Sequence, residues 1–174
     1  MKSFSFFLFL VGAIVLAASS SAQDFAVSRR LGISLATLQK NLEKVAAPIA
    51  FASRAGSTQG TQEAPLPNRA GVVQASGDQE NLGVIVLWLP VDLQKKRIDS
   101  GSRGYLDALV QTFMAESEPV ALWLERVLQR ALTEGESGSH LESQLFDTYQ
   151  FKATYVSSLS RPMLSLTLTK SAEE

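Results

Sequence analysis

The chain of 174 residues is expected to form an α+β domain, an antiparallel sheet of about five strands with helices packed on one face. Three observations predict it. Residues 82–89 (Leu-Gly-Val-Ile-Val-Leu-Trp-Leu) carry no charge, are rich in β-branched and aromatic types, and are bounded by Asn81 and Pro90. Too short for a typical helix, they read as the central strand, buried on both faces. Two stretches near the middle repeat apolar residues at helical spacing, and the last third alternates apolar with polar residues. The expected order is helix, three strands, two helices, two strands.

The amino terminus reads as an address. Lys2 precedes an apolar run over residues 6–18, and Ser20 and Ala22 fit the small-residue positions of a signal peptidase site. Cleavage between Ala22 and Gln23 is expected, so residues 1–22 form a signal peptide. Residues 23–33 form a flexible lead-in, and residues 34–171 a single domain. No other stretch is long enough to span a bilayer. With no cysteine and no Asn-x-Ser/Thr acceptor, the expected destination is the periplasm or the cell exterior.

The first helix is predicted to begin at Ser34 as N-cap, with Ile33 and Leu38 forming a hydrophobic staple. Leu35, Leu38, Leu42 and Val45 form its apolar face, and Pro48 ends it. Residues 49–53 read as a first strand. Residues 54–69, rich in Gly, Ser, Thr, Gln and Pro, read as a long connecting loop. A weak strand over 70–75 leads through the turn at 76–78 into the central strand.

Residues 103–116 form the next predicted helix, with Ser102 as N-cap and Tyr105, Leu106, Leu109, Val110, Phe113 and Met114 on one side. Ser117 and Pro119 then restart a helix over 118–133, because proline in a first turn forfeits no helical hydrogen bond. Its inner face is Val120, Trp123, Leu124, Val127, Leu128 and Ala131. Residues 133–143 are polar and read as a loop. Tyr149, Phe151, Ala153 and Tyr155, then Leu164, Leu166 and Leu168, alternate with polar residues and predict an antiparallel hairpin with one face towards water.

Composition excludes several chemistries. Lack of cysteine removes disulfides, thiolate metal sites and thiol nucleophiles. One histidine, His140, rules out multi-histidine metal centres and leaves little room for a Ser-His-Asp arrangement. A net charge of −1 gives no broad footprint for nucleic acid. No glycine-rich phosphate motif occurs. Asp92 with Asp99, and Glu116 with Glu118, are candidate carboxylate pairs for a hydrolase. Glu134 and Glu136 near His140 are a candidate weak cation site, and His140 a candidate pH-sensitive contact. None forms a recognisable catalytic or ligand pattern, so no cofactor or metal is expected and a hydrolase is the least favoured class.

The favoured expectation is an exported, non-catalytic binding or accessory protein. It would contact a protein partner through the polar sheet face (Thr148, Gln150, Lys152, Thr154, Ser165, Thr167, Thr169) or the 54–69 loop. The alternative is a carrier or sensor of a small apolar ligand held between helices and sheet, lined by Trp88, Phe113, Trp123, Phe151 and Tyr155.

Overall fold

The structure is a computed structural model, which describes residues 30–54, 60–134, 139–157 and 161–171. The expected signal peptide, its cleavage site at Ala22 and Gln23, and the lead-in as far as residue 29 lie outside the described residues. The fold is α+β with a single antiparallel sheet, as expected in class. The sheet has eight strands rather than five. In chain order the elements are α1 (Leu35–Leu42), β1 (Ala52–Ser53), β2 (Gln62–Leu66), β3 (Gly71–Asp78), β4 (Asn81–Asp92), β5 (Arg97–Ile98), α2 (Ser100–Gln111), α3 (Glu118–Glu134), β6 (Ser139–Phe146), β7 (Tyr149–Val156) and β8 (Met163–Lys170). A 3₁₀ turn, Pro67–Arg69, links β2 to β3. The expected helix, three strands, two helices, two strands is thus corrected to helix, five strands, two helices, three strands.

The extra strands lie where sequence signals are weakest. β1 and β5 have two residues each, too few for any period to register. β2 falls within the 54–69 stretch, and it contains Pro65. A proline is tolerated there because β1 covers only Gln62 and Glu63, leaving Pro65 on the uncovered outer edge of β2. β6 occupies the segment read as a polar loop.

The strand order is β1-β2-β3-β4-β8-β7-β6, with β5 pairing separately to β4. The long central strand β4 therefore joins the two β-rich parts of the chain. Ile85, Leu87 and Leu89 lie opposite Leu168, Leu166 and Leu164. These six side chains are fully buried and face the helices. Val73 and Ala75 of β3 and Phe151 and Ala153 of β7 extend the same inner face. Upon it pack Leu106, Leu109 and Val110 of α2, and Val120, Trp123, Leu124, Val127, Leu128 and Ala131 of α3. The helical stripes read from the sequence are thus the buried faces. α1 adds Leu38 and Leu42, and its Asn41 Nδ2 donates to Thr112 Oγ1 at 3.1 Å.

The helix starts show what local signals can do. Ser34 caps α1, its Oγ accepting from the Thr37 N–H at 3.2 Å. α2 begins earlier than expected, because Asp99 rather than Ser102 is the N-cap, its Oδ1 accepting from the Gly101 N–H at 3.0 Å. Ser102 is instead fully buried and donates to the Ala70 carbonyl at 2.6 Å, tying α2 to the start of β3. Residues 30–33, expected to end a flexible lead-in, are held against the β3–β4 hairpin. The Leu31 N–H donates to the Leu82 carbonyl, the Leu82 N–H donates to the Ile33 carbonyl, and Leu31 is 2% exposed. No helix among the described residues is long and apolar enough to cross a membrane.

One buried polar atom lacks a partner among the described residues. The Tyr105 hydroxyl in α2 makes no hydrogen bond, and burial pushes its pKa above the usual phenol value. An unpaired buried hydroxyl destabilises. Tyr105→Phe is therefore expected to raise stability by about 1 kcal/mol, read as a higher denaturation midpoint.

Candidate functional site

Pleating sends alternate residues of each strand to the side of the sheet away from the helices. Among the described residues this second face carries no helix. Val72 and Trp88 are buried on it, yet neither belongs to the core cluster beneath the helices. The expectation that β4 is buried on both faces holds over residues 87–91, where Trp88 and Pro90 are buried on the outer side, and is only partly met before them. On that outer side Val84 and Val86 are half-buried.

The registers align this open face into rows that cross six strands. One row runs Pro65, Val72, Trp88, Ser165, Thr154, Leu141. The next runs Glu63, Gln74, Val86, Thr167, Lys152, Ser143. The β7 and β8 residues expected to face water do lie here: Gln150 is exposed, Lys152, Thr154 and Thr167 are half-buried, and Ser165 and Thr169 are buried. Thr148 lies in the β6–β7 turn and is exposed.

The two rows are cross-linked by a hydrogen-bonded chain. The Trp88 indole N–H donates to Gln74 Oε1 at 3.4 Å, and Gln74 Nε2 donates to Glu63 Oε2 at 2.7 Å. The Glu63 carboxylate fixes which way the Gln74 amide points, and the amide oxygen then orients the indole. Gln74 is 6% exposed and Trp88 8% exposed, so this part of the face is rigid and pre-formed. Sequence reasoning assigned Trp88 to a pocket on the other side. The β-strand period puts Trp88 opposite in direction to Leu87 and Leu89, but which of the two sides the helices cover is set by the sheet packing.

The described part of the 54–69 segment enters the same face. Glu63 and Pro65 of β2 begin the two rows, while residues 55–59 lie outside the described residues. Two surfaces that the sequence offers as alternatives are one surface.

Of the residues proposed to line an apolar ligand pocket, Trp123, Phe151 and Tyr155 share the core cluster, with Phe113 packed against it, and Trp88 does not. Trp88 is on the open face. Phe113 stacks edge-on with Tyr149 at 5.1 Å, Trp123 with Phe146 at 5.8 Å, and Phe146 with Phe151 at 5.5 Å. Phe151 is fully buried and Tyr155 5% exposed, so these rings pack one another. A shallow concavity of about 750 Å³ lies elsewhere, on the outer side of α3, lined by Leu122, Glu125, Arg126, Gln129 and Arg130.

The candidate carboxylates are dispersed into structural roles. Asp92 accepts from the Gln94 and Lys95 N–H groups and pairs with Lys95, holding the β4–β5 turn. Those bonds, the Lys95 N–H first, hold its carboxyl below the usual value. Asp99 caps α2 and pairs with Arg161 at 3.3 Å. Glu118 lies 3.8 Å from Arg103, which also pairs with Asp107 and Glu125 and so links α2 to α3. Glu116 is exposed.

His140 is in β6, not in a loop. Its Nε2 lies 3.1 Å from Glu142 Oε1, and Arg130 of α3 reaches the same oxygen at 3.1 Å. The Glu134 side chain and Glu136 lie outside the described residues. Among the described residues no group of three or more His, Cys, Asp or Glu is placed to hold a metal ion.

The His140 bond chiefly, then the Arg130 charge, hold the Glu142 carboxyl below the usual carboxylate value, against the opposing effect of burial. A lowered folded-state pKa contributes stability that is present above the ordinary carboxylate value and lost as pH falls through the folded one. Glu142→Gln is therefore expected to flatten part of the acid limb of a stability–pH profile. At neutral pH its cost should be no more than about 1 kcal/mol, the scale of a partly exposed ion pair. Denaturation midpoints collected from neutral to acid pH check both.

Comparisons of the chain with protein-family models, with curated proteins and with solved structures give no match.

Proposed function

We propose that the chain is an exported, non-catalytic binding or accessory protein that engages a protein partner through the open face of its sheet. The observation that carries this reading is the pair of rows crossing six strands on a face with no helical cover among the described residues. They offer a broad platform with apolar groups (Pro65, Val86, Leu141), hydrogen-bonding groups (Thr154, Thr167) and charges at opposite sides (Glu63, Lys152). Interfaces of this mixed character resemble the general protein surface in polarity and depend on complementarity. The fixed Trp88–Gln74–Glu63 chain keeps one half of the platform rigid, which lowers the ordering cost of binding.

The test is affinity capture of the tagged protein from the exported fraction of its own host. Thr167→Arg and Thr154→Arg, both half-buried and fourth and fifth of six in their rows, should each reduce partner recovery by about tenfold or more, the effect of an interface residue set inside the rim. Leu122→Arg on the outer side of α3, 50% exposed, should leave recovery unchanged. Equal recovery with all three variants would refute the assignment to this face. Mass analysis of the captured protein reads export as well, since processing after Ala22 leaves Gln23 as the first residue.

A further inference from the structure

The two edges of the sheet are built differently. At one edge β1 has two residues and the uncovered part of β2 contains Pro65, so little backbone is offered for pairing. At the other edge β6 runs for eight residues in unbroken register with β7, from Ser139 opposite Val156 to Phe146 opposite Tyr149. It contains no proline, lysine or arginine and no bulge, the devices that usually protect an edge. Its two leucines, Leu141 and Leu145, are 54% and 48% exposed, and both point to the open face.

We propose that β6 pairs antiparallel with β6 of a second copy of this chain, about a two-fold axis at Ser143. The spacing Leu141-x-Ser143-x-Leu145 is self-complementary about that axis. Leu141 lies opposite Leu145 of the second copy, Ser143 faces its own image, and Leu145 faces Leu141. On the helix side Glu142 lies opposite Gln144 and His140 opposite Phe146. No charge meets a like charge, because Glu142 is offset from its own image and is already neutralised by Arg130 within its chain. The paired segment, residues 140–146, spans about 24 Å of strand. That is a narrow strip beside a standard interface, so the dimer is of micromolar strength, and the two open faces join into one continuous sheet surface.

The absence of cysteine makes the test clean. Ser143→Cys places two thiols at the axis, at a Cα separation of about 4.5–5.5 Å, where a disulfide forms without strain. Under mild oxidation Ser143→Cys should crosslink at least about tenfold faster than Leu93→Cys, which is 50% exposed in the β4–β5 turn. A mixture of Leu141→Cys and Leu145→Cys should crosslink to each other faster than either does to itself. Sedimentation velocity of the unmodified protein from about 1 to about 100 µM should show a monomer–dimer equilibrium, and Ser143→Lys, which sets two cations face to face, should weaken it by about tenfold or more. A monomer throughout that range, a dimer unaffected by Ser143→Lys, or crosslinking of Ser143→Cys no faster than the Leu93→Cys control would each overturn the proposal.

Discussion

Replacing Phe151 with alanine is expected to destabilise the protein by about 4 kcal/mol, the range for deleting a fully buried phenyl ring. Phe151 is the largest of the fully buried side chains, at 0% exposed. It points from β7 into the core under the helices, with Leu168 as its cross-strand neighbour. Its ring meets Phe146 of β6 nearly edge-on at 5.5 Å, and Phe146 in turn meets Trp123 of α3 at 5.8 Å. The substitution therefore opens a cavity and also removes the β7 end of an aromatic chain joining β7, β6 and α3. Surroundings of this density relax only partly, so most of the lost contact is not recovered. Two comparisons isolate the cause. Phe151→Leu retains most of the volume and should cost well under half as much. Lys152→Ala, the next residue but on the open face, should change stability by no more than about 0.5 kcal/mol. Chemical denaturation of the three variants reads all of this, and an equal cost for Phe151→Ala and Lys152→Ala would contradict the assigned faces of β7.

Gly71→Ala is expected to cost about 3 kcal/mol, from a different mechanism. Gly71 has φ +143°, a conformation that side chains disfavour, and a Cβ built there would lie 2.0 Å from the Trp88 carbonyl oxygen. The obstacle is backbone, so no rotamer change can relieve it. The clash falls where β3 enters its pairing with β4, next to the Val72–Trp88 pair. Either the strands separate locally or β3 changes its path after the Pro67–Arg69 turn. Gly32 provides the contrast. Its φ is +83°, but a Cβ there meets nothing within 4 Å, so Gly32→Ala should cost only the left-handed strain of about 1 kcal/mol. Denaturation midpoints rank the two, and amide exchange should show loss of protection in β2 and β3 for Gly71→Ala alone. The reverse ranking would remove the steric explanation.

Much of the fold is legible from periodicity because one surface of each long element is covered. The stripe from Val120 to Ala131 is the buried face of α3, and Phe151, Ala153 and Tyr155 alternate as the inner face of β7. In both, burial imposes a regular apolar spacing that can be read without coordinates. The same reasoning fails on β6. Lying beyond most of the helical cover, this edge strand carries His140, Glu142 and Gln144 on its helix side and Leu141 and Leu145 on its open side. Polar residues on one face and apolar ones on the other reverse the usual pattern, so the segment looks like a loop. β2 is hidden for a related reason: an outer strand tolerates Pro65, which in a central strand would break the ladder.

The candidate site was half legible. Thr154, Thr167, Lys152 and Gln150 could be placed on a water-facing side from alternation alone. Trp88 was misplaced because an uncharged run such as 82–89 gives no hint of which alternate residues face helices. The Glu63–Gln74–Trp88 chain was invisible, because its members come from three strands and only the register brings them within hydrogen-bonding distance.

By itself, then, the amino-acid sequence determined the α+β class, the lack of cysteine chemistry, the cap at Ser34 and the buried faces of α2, α3, β7 and β8, all set by local bonding or by a period imposed through burial. Only the tertiary structure decided the eight-strand order and the tie from Ser102 to Ala70. Those features rest on pairings between residues distant in the chain, whose energies depend on register and on which face is covered, and neither is written in any local stretch.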